Sequence, residues 1–123
     1  MRAALFALAF LAPLPALAQD NGPQPVEVRL SNFAFAPRAI ALPAGRRVTL
    51  HLVNSGGGGH NFSAPEFFAA ATGVSGPVHN GTVDVPGHQS VDIILTPSRG
   101  SYRLRCTHMM HSTFGMNGTI TVE

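Results

Sequence analysis

Tyr102-Arg103-Leu104-Arg105-Cys106-Thr107-His108-Met109-Met110-His111-Ser112-Thr113-Phe114-Gly115-Met116-Asn117-Gly118-Thr119-Ile120 is the stretch on which the reading of this chain turns. Both of its ends alternate apolar and polar residues, the period-two pattern of strands with one buried face. Between those ends lie the chain's single cysteine, His108, His111 and Met116. A chain that leaves one strand at Cys106 and must pair again from Asn117 has to turn back on itself. A metal ion held at that turn can take Cys106 on the way out, His111 at the apex and Met116 on the return.

Working outward, the same alternation recurs. Val26, Val28 and Leu30 share one face, and Val48, Leu50 and Leu52 share another. Further strands are predicted over 82–85, 90–95, 101–106 and 118–122, divided by turn residues at 43–45, 86–87 and 97–100. Many short strands at this spacing predict an all-β sandwich or barrel. One short helix or turn is expected over 65–71, where Pro65 and Glu66 open a run of good helix formers. No internal repeat is present.

The donor types narrow the metal. Thiolate and thioether are soft and select copper in its reduced state, while imidazole suits both oxidation states. Two histidines and a cysteine in a plane, with a long axial methionine, form an electron-transfer copper site. The second histidine has to come from elsewhere in the chain. His60 is the best candidate, because it follows the Gly56 to Gly59 run, where absent side chains let backbone approach an ion.

The rest of the chain sets bounds. Residues 1–18 have a basic start, an apolar stretch broken by Pro13 and Pro15, and small residues before Gln19, the layout of a cleavable secretory signal. The apolar part falls short of the roughly 20 residues that span a bilayer, so no membrane span is expected after cleavage, and the mature protein is assigned to the periplasm. Residues 19–25 read as a loose lead-in and 26–123 as one domain. All eight basic residues are arginine, and the whole chain carries a formal net charge of +2. That small excess, spread along the sequence, argues against nucleic acid as a partner. A lone cysteine in an exported protein has no internal disulfide partner and needs an occupant.

Taken together, these residues resemble the cupredoxins, the type 1 blue copper family of azurin, rusticyanin and plastocyanin. The resemblance runs from the Phe33, Phe35, Pro37 opening and the Leu42-Pro43-Ala44-Gly45 turn to the final strand. Gly59-His60-Asn61-Phe62 is similar to the first-histidine segment of azurins. Cys106, four residues, His111, four residues, Met116 has the spacing of rusticyanin-like members. The resemblance implies a Greek-key β-sandwich with at most one short helix and a single copper ion cycling between Cu(I) and Cu(II). Its ligands would be Cys106 as the short thiolate, His60 and His111 in the plane, and Met116 as the weak axial donor. It also implies that Asn61 ties the two ligand loops by hydrogen bonds and tempers the sulfur's charge, and that the Gly59 carbonyl stands as a distant fifth ligand. His108 is a rival imidazole, but only His111 keeps the family's distance to Met116 and the Gly115 turn.

Other residues have plainer readings. His51 is expected to face solvent, and His79 and His88 to be exposed loop residues rather than a second copper site. Phe33, Phe35, Phe62, Phe67 and Phe68 are expected as core and rim packing. Asn61, Asn80 and Asn117 each open a glycosylation pattern, to which turn and site roles are preferred. Met109, Met110 and Phe114 suggest an apolar patch around His111 for brief docking of a redox partner, a cytochrome or an oxidase or reductase.

The expected function is that of a monomeric one-electron carrier. The alternative is a copper-binding protein for buffering, delivery or tolerance that uses the same site. An enzyme is not expected, because a copper oxidase or reductase needs a further copper centre with its own histidines. A two-copper centre needs a second bridging thiolate, and Cys106 is the only cysteine.

Overall fold

The computed structural model describes residues 7, 9–13, 22–31, 33–108 and 115–123. The described strands are β1 (Gln24–Ser31), β2 (Ala34–Ala36), β3 (Ala39–Leu42), β4 (Val48–Asn54), β5 (His60–Ser63), β6 (Thr72–Ser75), β7 (Thr82–Val85), β8 (Ser90–Thr96), β9 (Gly100–Arg105) and β10 (Asn117–Val122), with one helix, α1 (Pro65–Ala70). They form two five-stranded sheets, ordered β2-β1-β4-β8-β6 and β3-β10-β9-β5-β7. Two parallel pairs, β1 with β4 and β3 with β10, sit among antiparallel neighbours. This is the expected Greek-key sandwich.

Alternation built it. β4 buries Val48, Leu50 and Leu52 completely while Thr49, His51 and Val53 stay half-exposed. β8 answers with Ile93 and Leu95, and the other sheet contributes Phe62, Val83, Val85, Leu104, Ile120 and Val122. At the centre an aromatic chain runs from Phe35 to Phe62 to Phe68 to Phe67 to Tyr102, each pair edge to face at 5.2 to 6.0 Å between centroids. Such pairs add about 0.5–1.5 kcal/mol beyond burial. Phe35, Phe62, Phe67 and Phe68 are buried as expected of the core, while Phe33 is 43% exposed, at the rim.

The structure adds strands that the alternation did not announce: β2, β3, β5 and β6. β5 is buried at every position, so it carries no period-two signal. β1 begins at Gln24, because Gln24 and Pro25 pair with Val48 and Thr49 and take up part of the expected lead-in. Helix α1 starts at Pro65, whose fixed φ suits a first helical position, and buries Phe67 and Phe68. Among the described residues no helix is long and apolar enough to cross a membrane.

Candidate metal centre

Three of the four expected ligands lie among the described residues, at strand ends on one end of the second sheet. His60 opens β5 and is 8% exposed; Cys106 follows the last residue of β9 and Met116 precedes the first of β10, both fully buried. The Cys106 N–H donates to the Met116 carbonyl at 3.1 Å, continuing the β9–β10 ladder and closing the loop at its neck. The expected fourth ligand, His111, lies outside the described residues, as do Met109, Met110 and Phe114. Among the described residues no three of His, Cys, Asp and Glu converge.

β5 runs antiparallel to β9, with Ser63 opposite Arg105. That register carries Asn61 to the level of the residues after β9. The Asn61 backbone N–H donates to the Cys106 sulfur at 3.5 Å. Its side chain donates from Nδ2 to Thr107 Oγ1 at 2.7 Å and accepts the Thr107 N–H on Oδ1 at 2.8 Å. The tie expected of Asn61 is therefore present. A donor aimed at sulfur draws electron density from it, which is how surroundings tune a metal ligand.

A residue that the sequence reading passed over shapes the other side. Asn54, at the end of β4, is 1% exposed. It donates to the carbonyls of Gly58 at 2.7 Å and Val85 at 3.0 Å, and accepts the Gly56 N–H at 3.0 Å. The last bond is an Asx-turn, signalled by an asparagine two places before a glycine run. The glycine run is further pinned by the turn after β7: the His88 N–H donates to Gly56 at 2.9 Å, and Gly87 lies directly against the Gly57 carbonyl. His60 thus enters β5 from a constrained loop, not a floppy one.

The remaining histidines resolve individually. His108 lies so close to Gly59 that a Cβ there would stand 3.3 Å from its ring carbon Cε1. His51 is half-exposed on the outer face, as expected, and pairs with Asp92 across β4 and β8. His79 bridges Thr82 before β7 and His88 follows its far end, so these two lie beyond opposite ends of that strand.

A fully buried thiol and thioether, a nearly buried imidazole and an amide aimed at sulfur make a donor set that fits one soft ion held away from water. The profile of the cupredoxin-like domain family matches residues 2–122. No curated protein matches the sequence. Among solved structures, auracyanin B is 28% identical, with a TM-score of 0.61, over 92% of this chain and 93% of its own. Auracyanin A, described as a blue copper protein from Chloroflexus aurantiacus, is 18% identical, with a TM-score of 0.59, over 83% of this chain and 100% of its own. A multicopper oxidase from Aquifex aeolicus is 18% identical, with a TM-score of 0.61, over 94% of this chain but 32% of its own.

Proposed function

The chain belongs to the cupredoxin-like family, and on that footing we propose that it is an exported carrier of single electrons, binding one copper ion through His60, Cys106, His111 and Met116. The observation that carries this reading is Cys106: a fully buried sulfur that receives the Asn61 amide and is tied through its own N–H to Met116. Bound copper supplies a one-electron couple between Cu(I) and Cu(II).

The protein's own part is rigidity and exclusion of water. His60 is held by a paired strand and the Asn54 clamp, Cys106 and Met116 by the β9–β10 ladder, and the two halves by Asn61 and Thr107. Donors fixed in this way favour a geometry that need not rearrange when the charge changes. A partner meets the protein near His111. Export is supported by the leader's composition: a basic start, an apolar stretch and small residues before Gln19.

The test is a visible and spin-resonance spectrum of the purified protein with added cupric ion, beside Cys106→Ser. An intense sulfur-to-copper band that disappears in the variant is expected, with electron exchange fast and loss of copper to a chelator slow. The absence of the band, or its survival in Cys106→Ser, overturns the reading. Slow electron exchange with rapid copper loss would assign the site to copper handling.

A further inference from the structure

Arginines that are scattered in sequence gather in the fold. On β9, Arg103 and Arg105 point outward on the same face, about 7 Å apart by strand rise. Their neighbours on β10 are Thr119 and Asn117. Arg38 stands at the head of β3, level with Gly118, and lines one shallow depression with Asn117 and Thr119. All three arginines are exposed, and among the described residues none forms an ion pair.

The ground between them is flat and uncharged. The outward positions of β3, β10 and β9 are otherwise Ala39, Ala41, Thr119, Thr121 and Ser101, and these strands hold no carboxylate. Glu27 and Asp92 belong to the other sheet, Asp84 lies on the far edge strand β7, and Glu123 follows β10 at the end away from the arginines. Glu66 of α1 lines a pocket with Arg103 and Arg105 on the β5 side of β9 and is the carboxylate beside them. Arg38, Arg103 and Arg105 against Glu66 leave this face basic on balance. That face adjoins the proposed copper site, since Arg105 immediately precedes Cys106 and Asn117 follows Met116.

We propose that the outer face of β3, β10 and β9, carrying Arg38, Arg103 and Arg105, docks an acidic redox protein. The proposal rests on the electron-carrier reading and adds the sign and place of the contact. Three guanidiniums outnumber the one carboxylate beside them and repel one another in the free protein, and an acidic surface relieves that repulsion. Short side chains between them let a flat partner approach. Complementary charge of this kind raises the rate of encounter and orients it, while leaving the complex weak enough to separate.

The experiment uses the copper-loaded protein and an acidic c-type cytochrome, followed by amide chemical-shift mapping of the reduced protein and by stopped-flow electron transfer. Shifts are expected at 38–39, 101–105 and 117–121, with a transfer rate that falls about tenfold or more between low salt and about 0.5 M, where screening is nearly complete. R38E/R103E/R105E should remove both the shifts and the salt dependence, whereas R46E/R47E, at the opposite end of the sandwich, should leave them. If charge reversal unfolds the chain, R103Q/R105Q carries the test, with an expected loss of about threefold or more at low salt. Shifts confined to other faces, or a rate indifferent to the arginines, overturn the proposal. So does arginine-dependent sedimentation with phosphatidylglycerol vesicles when the cytochrome produces no shifts, which would make the face a lipid contact. Loss of the copper band with arginine-dependent shifts intact would sink the carrier reading and leave the docking face standing.

Discussion

Asn61 and Thr107 grip each other through two hydrogen bonds of 2.7 and 2.8 Å, binding the start of β5 to the chain just beyond Cys106. Each side of the pair both gives and receives, so neither can be removed without stranding a group on the other.

Asn61→Ala leaves the Thr107 N–H without its acceptor, and Thr107→Val leaves the Asn61 Nδ2 without its acceptor, so each is expected to cost about 1–3 kcal/mol. Urea unfolding of both single variants and the double variant measures the coupling. A double variant whose loss equals the sum of the singles would show that the bonds act independently, contrary to the geometry.

Asn54 offers a sharper contrast. Asn54→Ala removes a buried donor from two carbonyls and should destabilise by roughly 1–3 kcal/mol. Asn54→Asp keeps the bond to the Gly56 N–H but sets a carboxylate against the carbonyl oxygens of Gly58 and Val85, and is expected to be the worse of the two at neutral pH. Hydrogen exchange at Gly56 and Gly58 should quicken in both variants.

These two asparagines show what was legible in the sequence and what was not. Period-two runs exposed β1, β4, β7, β8, β9 and β10, since each has one buried face. The donor types and their order along the chain pointed to the cupredoxin-like family without any geometry. Asn54 was hidden because its role comes from bonds to residues as distant as Val85, which no local pattern encodes. β5 was hidden by complete burial. The arginines misled in a related way: Arg38 and Arg103 are far apart in sequence, and only the β3–β10–β9 ladder brings them together.

Phe62 is the aromatic residue touching both Phe35 and Phe68, and it is fully buried. Phe62→Ala should cost about 3–5 kcal/mol, and Phe33→Ala, at a residue 43% exposed, should cost clearly less. Thermal unfolding monitored by circular dichroism separates the two. Similar losses would contradict the assigned core.

Gly87 has no room for a side chain, because a Cβ would strike the Gly57 carbonyl. Gly87→Ala is expected to push the glycine run away and destabilise by about 1–3 kcal/mol, the usual cost of overpacking. Gly58→Ala, where a Cβ meets nothing, serves as the tolerant control.

Binding should also appear as stability. Cupric ion at a hundredfold excess over its dissociation constant adds about 2.7 kcal/mol by mass action, provided the unfolded chain does not bind it. Calorimetry should show this gain reversed by chelator and absent in Cys106→Ser. His111→Ala should lose most of it, and His108→Ala little.

The bond from the Cys106 amide to the Met116 carbonyl fastens the two feet of the loop to the sheet independently of the residues 107–115 that the loop contains. That separates anchorage from content. Because both atoms of that bond belong to the backbone, this fastening does not depend on which side chains the two feet carry.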